Sequence, residues 1–113
     1  YQVWSVPIEI LSVGVDDESK VDIPSDFELK QNYPNPFNPS TTIEYNLPIS
    51  SNVSIKVFDI TGTEVITLVD ELKMAGNYKI LFDAEKYNLS SGVYFYSLST
   101  NGYYQTKPML LLK

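Results

Sequence analysis

The chain has 113 residues, 43% of them hydrophobic and 13% aromatic, with eight lysines, no arginine, no histidine, no cysteine and a net charge of −6. That length holds one domain, able to hide somewhat over ~60% of its unfolded surface, and no second one. The acidic balance without guanidinium excludes a nucleic-acid binder, the lack of cysteine excludes disulfide staples and thiolate metal sites, and no segment is long and apolar enough to insert directly into a membrane as a helix.

Residues 1–15, YQVWSVPIEILSVGV, place Trp4, Val6, Ile8 and Ile10 on one side of an extended strand whose other face Pro7 interrupts, the pattern of an edge strand. Its first expected partner is a sheet in an upstream cargo domain, with docking onto the following module as the alternative; stripped of that sheet, it could pair with a neighbour and give a dimer. The chain begins at Tyr1 without an initiator methionine and is read as the tail of a longer protein. Residues 16–26 are acidic, polar and without periodicity. They read as an exposed linker that contains Asp16, Asp17, Glu18, Ser19, Lys20, Val21 and Asp22 and marks the domain boundary.

Phe27 and Leu29 open a first strand, and QNYPNPFNPSTTIEY follows with Pro34, Pro36 and Pro39 inside six residues. Each proline fixes φ, removes a donor and pushes the residue before it toward extended backbone. The segment Tyr33, Pro34, Asn35, Pro36, Phe37 is therefore expected to be a stiff, polyproline-like lead-in with Asn-Pro turns, which sets the first strand and turn against the domain. Ile43, Tyr45 and Leu47 then alternate with polar residues, as do Val53, Ile55 and Val57. A Thr61-Gly62 turn leads into EVITLVD, Ala75-Gly76-Asn77 into YKILF, and Ser90-Ser91-Gly92 into VYFYSLS. Asn101-Gly102, the strongest hairpin signal, needs positive φ at both positions and leads into YYQTKPMLLLK. Residues 70–75 form the only helix-like fragment, one turn long. Seven short strands in about ninety residues predict an all-β, immunoglobulin-like or fibronectin-like antiparallel sandwich over residues 27–113.

Chemistry is scarce. Catalysis would have to rest on carboxylates, Ser, Lys or Tyr, yet Asp16, Asp17 and Glu18 fall in the linker and Asp70 and Glu71 at a turn, neither group framed by a pocket. No enzyme, cofactor or metal is expected, and DDES lacks the spaced oxygens and the glycine of a calcium loop. Tyr103 and Tyr104 beside the hairpin, and Tyr94 and Tyr96 on one strand face, are the candidates for a sugar-binding platform; the competing and preferred reading is that Tyr94 and Tyr96 pack within the sandwich or cover its outer sheet. Met109 to Leu112 are consecutive apolar residues bracketed by Lys107 and Lys113. They fit either a last strand covered on both sides or a tag captured by strand addition or by a carboxylate pocket, and the two readings are compatible.

NYPNPFNPSTTI, VSIKVFDITGTEV, AGNYKILFDAEKYNLSSGVYFYSL and the terminal QTKPMLLLK together resemble the type A C-terminal sorting domain of the type IX secretion system of Bacteroidetes, from about Phe27 to Lys113. The resemblance departs at TGTEV, where a basic residue is usual, and at Pro108, where a second basic residue is common. It implies a non-catalytic address label. The cargo would cross the inner membrane by an ordinary signal peptide, fold in the periplasm and pass an outer-membrane translocon and shuttle to the cell surface or the medium. A sortase-like surface protease would cut in the linker, within residues 16–26. Recognition would centre on Lys107, Pro108, Met109, Leu110, Leu111, Leu112 and Lys113, with Gly92 and Tyr94 shaping the adjacent strand. The rival readings are a carbohydrate-binding or adhesive module acting through Tyr103 and Tyr104, and a structural spacer of a surface protein.

Overall fold

The structure, a computed structural model, describes residues 23–113. The edge strand expected over residues 1–15, and linker residues 16–22, lie outside the described residues. Seven strands follow: β1 (Glu28–Leu29), β2 (Ser40–Leu47), β3 (Ser51–Phe58), β4 (Glu64–Lys73), β5 (Gly76–Asp83), β6 (Gly92–Thr100) and β7 (Tyr103–Leu111). They form a three-stranded sheet in the order β1-β2-β5 and a four-stranded sheet in the order β4-β3-β6-β7. Every strand pairing is antiparallel.

The period-two pattern read in the sequence is the pattern that fills the space between the sheets. Ile43, Tyr45 and Leu47 of β2 are buried, as are Val53, Ile55 and Val57 of β3, Tyr94, Tyr96 and Leu98 of β6, and Met109 and Leu111 of β7. Phe82 of β5 joins them, edge-on to Phe37 at 6.1 Å and stacked on Tyr87 at 5.9 Å. The hairpin signal holds as expected: Asn101 has φ +44° and Gly102 φ +82°, the left-handed pair that suits the strand twist.

Two expectations are corrected. Residues 70–75 are not helical: β4 continues to Lys73, and Asp70 and Glu71 lie within it, not at a turn. The Lys73 ammonium, 2.8 Å from Glu71 and 5.4 Å from the Tyr78 ring centroid, lies along the strand end. The helical turn among the described residues is a 3-10 segment at Ala84–Tyr87, capped by the Asp83 carboxylate on the Glu85 N–H and closed by Asn88 at φ +55°. β4 does not alternate cleanly between buried and exposed residues, because its register against β3 shifts at Ile55/Lys56 and Val57/Phe58. Each shift adds a residue to the edge strand and breaks its alternation.

The second correction concerns the prolines. The segment turns back on itself instead of running as a rod, with Tyr33 bridged antiparallel to Thr42. Tyr33 exchanges both main-chain bonds with Thr42, at 3.0 and 2.9 Å, and the Thr41 hydroxyl donates to Pro34 O at 2.8 Å. The loop joins β1 to β2 while its tip reaches the other sheet.

The β3–β4 turn carries a prediction of its own. One carboxylate oxygen of Asp59 accepts from the Thr61 hydroxyl at 2.5 Å, the Thr61 N–H at 2.9 Å and the Thr63 N–H at 3.0 Å. These donors, the Thr61 hydroxyl foremost, hold the carboxyl below its ordinary value. A depressed carboxyl stabilises the fold above the unfolded-state value and loses that contribution as pH falls through the folded one. Asp59→Ala is therefore expected to lower the melting temperature at neutral pH and to converge with the unaltered chain in acid. Thermal melts from pH 7 to pH 2, with a gap that stayed constant, would contradict this.

Candidate functional site

The YPNPF loop and the terminal strand are far apart in sequence and touch in space, at one edge of the four-stranded sheet. β7 is that edge, paired to β6 along its whole length, with Gly92 opposite Leu111, Val93 opposite Leu110, Tyr94 opposite Met109 and Phe95 opposite Pro108. Alternation sends Met109 and Leu111 into the core at 1% and 0% exposure and turns Pro108 and Leu110 outward. Leu110 is half-buried and Leu112, just past the strand, is 49% exposed. The tail is thus a half-buried edge strand with two anchors, and not a strand covered on both faces. Lys107 is half-buried on the inward register, and Lys113 is exposed.

On the side of β7 away from β6, the loop takes the main-chain groups. Phe37 N–H donates to Leu110 O and Leu112 N–H donates to Phe37 O, both at 3.0 Å, an isolated parallel bridge. Asn35 Oδ1 accepts the Leu110 N–H at 3.0 Å, and Gln31 Nε2 donates to Pro108 O at 2.7 Å. Because main-chain groups of even-numbered residues point to this side, the donor that Pro108 lacks is missing where no sheet partner needs it. Phe37 fixes the loop tip, its ring at 2% exposure in the core. Asn35, Val93, Pro108, Met109 and Leu110 line a shallow hollow on the surface.

The loop base is held by Tyr96. Its hydroxyl donates to Lys30 O and accepts from the Asn32 N–H, both at 2.7 Å. Burial pushes that hydroxyl up to about 12, so it stays protonated and fills both roles. The Asn32 amide nitrogen in turn donates to Pro34 O at 3.1 Å and to the Thr41 hydroxyl at 3.0 Å. Tyr33, Pro34, Asn35 and Pro36 are otherwise exposed.

Gly92 and Tyr94 lie on β6, opposite Leu111 and Met109 of the tail. Gly92 opens β6 at φ +152°, a conformation open to glycine, and the Tyr94 hydroxyl donates to Ser90 O at 2.8 Å. Tyr94 and Tyr96 pack inside the sandwich, as expected. Tyr103 and Tyr104 are not a platform. Tyr103 faces inward and stacks on Phe27 at 5.6 Å, whereas Tyr104 projects from the opposite face, 64% exposed. Of the linker, residues 23–26 are described, without strand or helix; Asp16, Asp17, Glu18, Ser19, Lys20, Val21 and Asp22 lie outside the described residues. Among the described residues no group of acidic side chains is placed to hold a metal. Gln31, Asn32, Thr41, Ser91 and Tyr96 belong to the site and were not singled out for it in the sequence. Their roles come from contacts across the fold, for which a single sequence carries no local signal.

Residues 31–111 match the family described as secretion system C-terminal sorting domain. A search of curated proteins returns no match. Two solved structures share the fold, both from Porphyromonas gingivalis. The crystal structure of dimeric latent PorU is 22% identical with a TM-score of 0.58, over 81% of this chain and 10% of that one. PorZ, an essential bacterial surface component of the type-IX secretion system, is 18% identical with a TM-score of 0.50, over 77% of this chain and 11% of that one. The chain spans about a tenth of the length of either solved chain.

Proposed function

The chain belongs to the secretion system C-terminal sorting domain family, and from that premise we propose that it is the address label of a longer exported protein. It directs its cargo across the outer membrane by the type IX system, to the cell surface or the extracellular medium. The observation that carries this reading is the extent of the match: residues 31–111 take in the YPNPF loop and β2 to β7, the terminal strand included. The family is non-catalytic in general, and we assign this domain no reaction of its own.

Residues 27–113 act as the label and residues 16–26 as the linker in which a sortase-like surface protease cuts. Residues 1–15 belong to the cargo side, and pair with a second copy when the upstream sheet is absent. The translocon and its shuttle are the partners, and they meet the label over Lys107 to Lys113 through the outward Pro108, Leu110, Leu112 and Lys113, with Lys107, Met109, Leu111, Gly92 and Tyr94 shaping the strand beneath. Supporting this, the terminal strand lies on an edge with half of its side chains turned outward.

The test is a fusion of the 113-residue chain to a periplasmic fluorescent protein, expressed in a type IX-competent host and in the same host lacking the translocon. Fluorescence on the surface or in the medium of the competent host alone is the expected result. Fluorescence trapped in the periplasm of both would overturn the reading.

A further inference from the structure

An edge strand ordinarily offers a row of free N–H and C=O groups to any strand that comes alongside. Over the terminal stretch of β7 that row is already occupied. Gln31 takes Pro108 O, Asn35 takes the Leu110 N–H, and Phe37 takes Leu110 O and the Leu112 N–H. Pro108 has no N–H to offer, and the Lys113 N–H goes to Ser91 Oγ at 2.8 Å. We propose that the loop from Gln31 to Phe37 is a positioning element of the sorting signal: it closes the strand-addition edge of the tail, so that the secretion machinery reads the tail as a fixed surface and not as a free strand.

Asn35 is the positioning residue at the centre of this arrangement. Phe37 bonds through its main chain and is held in place by its buried ring, whereas Asn35 meets Leu110 with an exposed, short side chain whose amide oxygen is the acceptor. Removing that oxygen frees one tail N–H without touching the core. What remains accessible on the closed tail is its outward side: Leu110 beside Val93, Pro108 beside Phe95, then Leu112 and Lys113. A partner that captured the tail by strand addition would compete with the loop for Leu110 and Leu112. The two modes therefore predict opposite signs, because loosening the loop impairs surface reading and favours strand capture.

The proposal rests on the sorting reading above, and one experiment separates the two. The full chain, fused behind the fluorescent cargo, is compared with Asn35→Ala, Asn35→Asp, Leu110→Asp and, as a destabilised control remote from the tail, Ile55→Val. Melting temperature and amide exchange at Leu110 and Leu112 are measured on the purified chains. Asn35→Ala is expected to speed exchange at Leu110 and to reduce surface fluorescence roughly fivefold, the equivalent of one ordinary hydrogen bond. Asn35→Asp, which keeps the acceptor, is expected to restore both. Leu110→Asp should reduce export without lowering the melting temperature, while Ile55→Val should melt earlier and be exported normally. Asn35→Ala exported as well as the unaltered chain, or better, would overturn the positioning role. An unaltered chain that stayed in the periplasm would instead overturn the sorting reading itself.

Discussion

Deleting residues 107–113 is expected to unfold the domain, and not only to silence its signal. The deletion removes Met109 and Leu111, both buried to within 1%, and losing two such side chains costs about 4–10 kcal/mol at ordinary values for large-to-small changes. It also removes the β7 partners of Gly92 to Tyr96 and leaves the buried Phe37 without its main-chain bridge. That loss is comparable with the whole stability of a domain of this size, roughly 5–15 kcal/mol. Circular dichroism on the truncated chain should show no cooperative melt. A cooperative melt within a few degrees of the full chain would refute this and would mean that β7 is dispensable to the core. The consequence for function is direct: lost export after truncation does not separate a missing signal from a missing fold. Single changes at Leu110, Leu112 or Lys113, none of them a core residue, do separate them.

Tyr96→Phe should have the second largest effect. The ring would still fill its site, but the Lys30 carbonyl and the Asn32 N–H would both lose a partner at 2.7 Å. The Asn32 N–H is buried, and leaving it unsatisfied costs about 1–3 kcal/mol, which in a domain of this length lowers the melting temperature by roughly 5–20 °C. A second signature lies in alkali. Burial raises the folded-state value to about 12, above the value of about 10 of an unfolded tyrosine. The contribution is therefore complete below the unfolded value and is lost as pH rises through the folded one. Tyr45 is pushed up to about 12 as well, first by burial and then by Tyr78 and Glu71, so Tyr96→Phe should flatten the alkaline loss of stability without abolishing it. A Tyr96→Phe chain that melted like the unaltered one, with an unchanged alkaline limb, would show that the loop base is held by something other than this hydroxyl.

Between them these two changes probe the two ends of one device. Tyr96 holds the loop base to β6 and Phe37 carries the loop tip to β7, both in the four-stranded sheet, while Tyr33 pairs with Thr42 of β2, so the loop ties the two sheets together and the tail lies along its far side. A sorting signal built this way depends on the fold of the domain that carries it.

How much of this is legible in the sequence differs from element to element. Ile43-Tyr45-Leu47 and Val53-Ile55-Val57 show their strands and their buried face directly, because the period of two is a property of consecutive residues. Asn101-Gly102 shows its hairpin for the same reason, since a turn that needs two left-handed residues is specified by those residues alone. The bulges of β4 are not written in EVITLVD in the same way, because they arise from matching β3. The prolines of YPNPF were visible as a break, but their path was not. Tyr33 is paired to Thr42 and Phe37 to Leu111, and Asn35 reaches Leu110 across 75 positions.

The amino-acid order by itself determined the strand count, the sandwich class, the turn positions and the resemblance to a sorting domain. The tertiary structure alone decided that the terminal apolar run is a half-buried edge strand, that Tyr103 and Tyr104 face apart, and that the proline loop closes the edge of the tail. The physical reason is range: periodicity and turn dihedrals are settled within a few neighbouring residues, whereas the occupant of a strand's open edge is settled only when the distant segments of the chain pack together.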